Sequence, residues 1–236
     1  VIRQAFAEAS EALGEDLWQM VADGPAEVLA QTVNTQPLML TAGVAIYREW
    51  IARGGALPSL VAGHSLGEYS ALVVAGALDF QEAVKLVRLR AQAMQEAVPQ
   101  GEGAMAALLG LDEAAAVDAC AEAAQGEVVS AANLNSPGQI VIAGSTKAVE
   151  EAAAAMKEAG AKRAILLHVS APFHSTLMEP AAKRLAEVLD DITISDAKIP
   201  VVANVNGQIE TAAADIKASL IKQAASPVLW IDCTKT

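Results

Sequence analysis

Leu57-Pro58-Ser59-Leu60-Val61-Ala62-Gly63-His64-Ser65-Leu66-Gly67 is the stretch on which the reading of this chain turns. A short apolar run over 57–62 leads straight into Gly63-His64-Ser65-Leu66-Gly67, and an apolar helix follows to about Ala75. A bare G-x-S-x-G arises by chance in about one chain in ten of this length at average glycine and serine usage. Its weight therefore comes from context. A strand before it and a helix after it are what a nucleophile elbow requires. The glycines permit a sharp turn, Ser65 projects from the tip, and the N–H of Leu66 at the helix N-terminus faces an oxyanion. The alternative is a glycine-rich strand–helix turn with an inert serine.

On the N-terminal side, Ile2, Phe6, Ala9 and Leu13 recur at helical spacing, and Gly14 is a natural stop. Thr35-Gln36-Pro37 opens a second helix with Pro37 in its first turn, running to Gly54-Gly55. Beyond the elbow, Asp79 with Glu82 forms a capping box for a helix reaching about Val98. Residues 101–170 have their own grammar. Ala104–Leu109 is strand-like, and Asp112 begins an Ala-rich helix that Gly126 ends. Residues 128–133 and 139–143 form a hairpin across Asn135-Ser136-Pro137-Gly138. Ser145 starts a helix that Gly160 ends, and 163–169 is the last strand. The order β-α-β-β-α-β is the ferredoxin-like split motif. A helix over about 174–189, a strand over 200–205 and a helix over about 215–225 return to α/β grammar. The expected architecture is an α/β-hydrolase-like parallel-sheet core (1–100 and 171–236) with a ferredoxin-like subdomain (101–170) inserted.

Composition narrows the function. The chain has 236 residues, 53% of them apolar, and a net charge of −12. That is too apolar for a disordered chain. Its longest apolar stretches, 71–78 and 104–111, fall far short of the roughly 18 residues a spanning helix needs. The acidic balance argues against nucleic acid and anionic lipid as partners. Cys120 and Cys233 lack metal-like spacing and are too few for a disulfide framework, which points to a reducing, cytoplasmic location. No metal is expected.

A serine nucleophile needs a base, and there are three histidines. His64 adjoins Ser65, but neighbours at a tight elbow point apart. His168, among Leu166, Leu167 and Val169 on the expected last strand, reads as a satisfied structural histidine. His174 opens a helix, whose N-terminus disfavours imidazolium and leaves a neutral ring able to act as a base. Its alternative is a helix-terminal histidine with no role. Arg90 lies on the apolar side of its helix with Val84, Val87, Ala91 and Met94. A buried guanidinium needs an anion, either an internal carboxylate or one carried by a substrate. A carboxylate-bearing acyl group suits its two-pronged donors.

Gly63-His64-Ser65-Leu66-Gly67-Glu68-Tyr69-Ser70-Ala71-Leu72 closely resembles the active-site segment of the malonyl-CoA:acyl-carrier-protein transacylases of bacterial fatty acid synthesis. Thr35-Gln36-Pro37, Asn135-Ser136-Pro137-Gly138-Gln139, Pro172-Phe173-His174-Ser175, and Gln223 with Pro227-Val228 and Trp230 match in family order, across essentially the whole chain. The resemblance implies that Ser65 is acylated by malonyl-CoA and deacylated by the phosphopantetheine thiol of acyl carrier protein. It makes His174 the general base and acid, oriented by the backbone carbonyl of Gln223, with Leu66 supplying an oxyanion N–H. Arg90 holds the malonyl carboxylate, and His64 and Gln36 support the pocket. Phe173 favours malonyl over methylmalonyl, and Lys162-Arg163 form a docking patch for the acidic carrier. No bound cofactor is expected, because phosphopantetheine is carried by the two substrates. The family's N-terminal strand with its Gly-Gln-Gly-Ser-Gln loop, and its C-terminal Val-Gly-Pro-Gly turn, have no counterpart here; the expectation is a chain truncated at both ends, consistent with a start at Val1. Three rival readings are a polyketide synthase acyltransferase domain, which shares these motifs within a far longer chain, a serine thioesterase or esterase, whose neutral acyl group offers the Arg90 charge no anion, and a non-catalytic carrier-binding module, which does not need Ser65, His174 and Arg90 together.

Overall fold

A computed structural model describes all 236 residues. In chain order the elements are α1 (Ile2–Leu13), α2 (Leu17–Asp23), α3 (Ala26–Leu29), α4 (Thr32–Ala52), β1 (Val61–Ala62), α5 (Leu66–Val74) and α6 (Phe80–Glu96). Then come β2 (Gly103–Leu109), α7 (Glu113–Ala124), β3 (Val129–Ser136), β4 (Gln139–Ser145), α8 (Thr146–Glu158) and β5 (Arg163–Leu166). A 3₁₀ turn (Thr176–Met178), α9 (Glu179–Asp191), β6 (Val201–Val202), β7 (Ile209–Glu210), α10 (Ala213–Gln223) and α11 (Trp230–Lys235) complete the chain. No helix is long and apolar enough to cross a membrane. Two compact units form: residues 1–92 with 185–203 and 208–218, and residues 93–184 with 204–207 and 219–236.

In the first unit, α1 buries Ala5, Phe6 and Ala9 on one face and ends where Gly14 turns left-handed (φ 70°), its N–H bonding the Ser10 carbonyl. Phe6 meets Trp18 edge-on at 5.3 Å. Asp79 accepts the Glu82 N–H at 3.0 Å, which is one arm of the expected cap. On α6, Val84, Val87, Arg90 and Ala91 are all buried. The sheet of this unit has three strands: β1 pairs in parallel with β6, and β6 antiparallel with β7.

In the second unit the strand order is β3-β4-β2-β5, all antiparallel. Counted from β2, that is second, third, first, fourth, the ferredoxin-like order. Alternation along β4 explains its two faces: Ile140 and Ile142 meet α7 and α8 through Ala116, Cys120, Val149, Ala152 and Met156, whereas Val141 and Ala143 join Met105 and Ala132 on the other side. Each buried Ile or Leu here contributes about 1.5–3 kcal/mol. Alanine dominates the helix faces, so helix and sheet approach closely. Asp112 caps α7 by accepting the Ala115 N–H at 2.8 Å.

Several elements differ from the sequence reading. The helix expected to open at Thr35 begins at Thr32, placing Pro37 in its sixth position. The N–H groups of Asn34 and Thr35 both reach the Gln31 carbonyl, so a turn precedes the proline, and Pro37 forfeits one backbone bond. The apolar run 57–62 pairs only at Val61 and Ala62, since Pro58 has no N–H to give and Leu57 stays exposed. The strand expected over 200–205 likewise shortens to Val201–Val202. The helix expected from His174 starts with a 3₁₀ turn and becomes α-helical at Glu179, immediately before Pro180. The last expected strand stops at Leu166, so His168 lies beyond it and is exposed; it is not a core histidine. Helices α2, α3 and α11 had no expectation, being short and without repeated apolar spacing.

Candidate active site

The elbow is built as its sequence requires. Between β1 and α5 stand only Gly63, His64 and Ser65. Ser65 has φ 50° and ψ −108°, a conformation that a residue with a side chain rarely adopts. A Cβ on Gly63 would lie 2.0 Å from both the carbonyl carbon and oxygen of Gly67, so only glycine lets the strand end pass the helix start. The Gly67 and Glu68 N–H groups bond the carbonyls of His64 (2.8 Å) and Ser65 (3.1 Å). Leu66, the first helical residue, has no intrahelical acceptor for its N–H, as an oxyanion donor requires.

Within this unit, side chains from three helices meet at Arg90, which reaches Ser65. From α6, Arg90 donates through Nη2 to the Ser65 hydroxyl oxygen at 3.1 Å and through Nη1 to Oε1 of Gln36 on α4 at 2.7 Å. Gln36 donates in turn to Thr32 Oγ1 at 3.2 Å. Arg90 and Gln36 are both buried. Burial pulls the Arg90 guanidinium below the usual arginine range, opposed by Tyr69 and by the Glu68 charge. Tyr69 lies beneath it, with Arg90 Cζ 5.3 Å from the ring centroid. Burial pushes the Tyr69 phenol up, and Arg90 acts against that. Sequence reasoning missed Glu68 and Tyr69. Glu68 in the first turn of α5 reads as a solvated acid favoured by the helix dipole, yet it is 3% exposed.

The other expected group lies in the second unit. His174 is buried, has φ 61°, and its Nδ1 stands 2.9 Å from the Gln223 carbonyl oxygen. Gln223 is the last residue of α10, where carbonyls lack intrahelical partners. A carbonyl can only accept, so Nδ1 carries the proton and Nε2 is the basic nitrogen of the ring. The loop is held firmly: Ser175 Oγ donates to the Pro172 carbonyl at 2.7 Å, and Pro172 packs where a Cβ on Gly103 would come within 2.3 Å of its ring. Phe173 is half-buried against the sheet face of Met105, Ala132, Val141 and Ala143. Lys162 and Arg163 are exposed at the start of β5, an edge strand, and neither has an ion-pair partner. No three His, Cys, Asp or Glu side chains gather where they could hold a metal ion.

Residues 1–229 match the family model described as the acyl transferase domain. The malonyl CoA-acyl carrier protein transacylase of Escherichia coli K12 is 56% identical over 230 residues, covering 98% of this chain and 74% of that protein. The crystal structure of an acyl carrier protein S-malonyltransferase from Vibrio cholerae superposes with a TM-score of 0.97 at 56% identity, over 99% of this chain and 76% of that one. A malonyl-transacylase solved in complex with a type II polyketide synthase acyl carrier protein gives a TM-score of 0.95 at 55% identity, over 97% of this chain and 74% of that one. With identity above half across nearly its whole length, the chain belongs to the acyl transferase domain family and, within it, to the malonyl-CoA–acyl carrier protein transacylases.

Proposed function

We propose that Ser65 and His174 carry out the reaction of this family here: transfer of a malonyl group from malonyl-CoA to the phosphopantetheine thiol of acyl carrier protein, through a malonyl-serine. In the first half, Ser65 Oγ attacks the thioester carbonyl while His174 Nε2 takes its proton. The oxyanion is met by the Leu66 N–H, the C–S bond breaks, and the proton goes to the departing CoA sulfur. In the second half, the carrier thiol gives its proton to His174 and attacks the malonyl-serine carbonyl, and the proton returns to Ser65. Gln223 keeps the histidine in the required tautomer. Arg90 holds the malonyl carboxylate, Gln36 and His64 support the pocket, Phe173 disfavours an α-methyl, and Lys162 with Arg163 receive the acidic carrier.

The observation that carries this reading is a buried guanidinium 3.1 Å from the serine hydroxyl at an elbow of the nucleophile type. A neutral acyl group offers such a charge no anion of its own, so an acid-bearing acyl substrate is favoured over the simple esters of a hydrolase. The reaction draws on no cofactor beyond the phosphopantetheine of its substrates, and a cytoplasmic location suits both of them. We further propose 1–100 with 171–236 as the catalytic domain and 101–170 as an inserted subdomain; one sheet running from Gly103 to Leu166 supports the insert. The test is intact-mass measurement after brief exposure to malonyl-CoA. A single malonyl adduct on Ser65, absent in Ser65→Ala and discharged by holo carrier protein, is expected. An adduct elsewhere, or one that only water removes, overturns the reading.

A further inference from the structure

We propose that Tyr69 is a positioning residue for acyl-group selection: its ring face carries the Arg90 guanidinium so that Nη2 stays directed toward Ser65, beside which the acyl carboxylate binds, while Nη1 is held by Gln36. The inference rests on the reading of Arg90 given above and goes beyond it. A buried guanidinium has lost water, and something must offset its charge. A carboxylate placed head-on would do so but would occupy the donors that the substrate needs. The face of an aromatic ring offsets part of the charge without using an N–H, because its quadrupole attracts the cation through the flat side, and it acts beside the charge of the buried Glu68. Tyr69 is fully buried, Arg90 is 1% exposed, and their separation of 5.3 Å is within cation–π range. Meanwhile Nη1 and Nη2 point at Gln36 and Ser65, toward the nucleophile. The Tyr69 hydroxyl has no well-directed hydrogen-bond partner, yet it lies close enough to the guanidinium to interact with it as a polar group. The Tyr69→Phe variant separates the ring's contribution from the hydroxyl's. Tyr69 follows Ser65 by four residues, so one short helix aligns both the nucleophile and the platform beneath its selector.

The test measures kcat/KM for malonyl-CoA and acetyl-CoA in four proteins: the parent, Tyr69→Phe, Tyr69→Leu, and Tyr69→pentafluorophenylalanine, which keeps the ring's shape but reverses its quadrupole. A desolvated cation–π contact predicts that Tyr69→Leu and the fluorinated variant lower the malonyl-to-acetyl ratio by about tenfold to thirtyfold, chiefly through KM for malonyl-CoA. Tyr69→Phe restores the ring and with it the ratio, to within about twofold of the parent by the same contact. On an Arg90→Ala background the differences vanish. If Tyr69→Leu lowers both substrates equally, or the fluorinated ring behaves as Phe does, or Tyr69→Phe falls with Leu, the proposal is overturned. The fluorinated variant decides the matter even if Tyr69→Leu does not fold. Failure of the underlying reading looks different: the parent itself then forms no malonyl-serine or shows no malonyl preference.

Discussion

Gly63→Ala tests the elbow directly. An alanine Cβ at this position would sit 2.0 Å from the Gly67 carbonyl carbon and oxygen and 2.6 Å from the Glu68 nitrogen. All three are backbone atoms, so no side chain can swing aside. Restoring ordinary contact at about 3.5 Å requires the strand end and the first turn of α5 to separate by more than about 1 Å. Overpacking of this kind costs about 1–3 kcal/mol. For a chain of this size that lowers Tm by about 2–12 °C. The same shift carries the Leu66 N–H and the Ser65 hydroxyl out of register, and a misplacement of about 1 Å costs on the order of a hundredfold in rate. Gly67→Ala is the matched control: nothing lies within 4 Å of its Cβ, and the position is helical. Alanine is favoured over glycine in a helix by up to about 1 kcal/mol, so Gly67→Ala holds or raises Tm. The assays are thermal unfolding and the rate of malonyl loading by intact mass. If Gly63→Ala unfolds at the parent temperature and loads within about twofold of the parent rate, against the hundredfold invoked, the close-approach argument is wrong. Equal destabilisation by both substitutions refutes it too.

Arg90→Ala is expected to lower kcat/KM for malonyl-CoA by the value of a charge-assisted pair, about 2–5 kcal/mol or one and a half to nearly four decades, while acetyl transfer persists; an equal fall for both esters assigns Arg90 to the scaffold. Reversing the charges of Lys162 and Arg163 together is expected to raise KM for carrier protein, more so at low salt, and to leave KM for malonyl-CoA unchanged. Steady-state kinetics across ionic strength check this, and an unmoved carrier KM marks the patch as ordinary surface. Cys120, which burial pushes up from 9.0 to about 11, is expected to resist alkylation at pH 8 until the protein unfolds. Because its folded pKa lies above its unfolded one, the unfolded chain releases the proton first, and stability falls as pH rises from about 9 to about 11. Denaturant melts of the parent and Cys120→Ala across that window measure the difference, which is absent if the thiol titrates normally.

What the sequence by itself determined lies at short range. The segment from Gly103 to Leu166 was legible because each of its elements carries its own signals: Asp112 and Ser145 before the helices, glycines after them, a short apolar run in β4, and a turn at Asn135-Ser136-Pro137-Gly138. These act within a few residues and need no partner. The elbow was legible for the same reason, since only glycine satisfies the close approach at Gly63. Helical period alone placed Arg90 on a buried face, but it left the partner open, whether an internal carboxylate or a substrate's. Tertiary structure supplies the neighbours that helical period could not. Gln36 reaches Arg90 from 54 residues away, and Tyr69 comes beneath the guanidinium only because α5 packs where it does. Packing likewise decided that β1 is two residues long and that His168 is exposed. The partner of His174 is the extreme case. It is the main-chain carbonyl of Gln223, 49 residues on, and a backbone oxygen looks the same at every position of a sequence. The end of α10, where helix geometry leaves carbonyls without an i+4 donor, makes that oxygen available to the imidazole, alongside the Ser226 N–H at 3.4 Å.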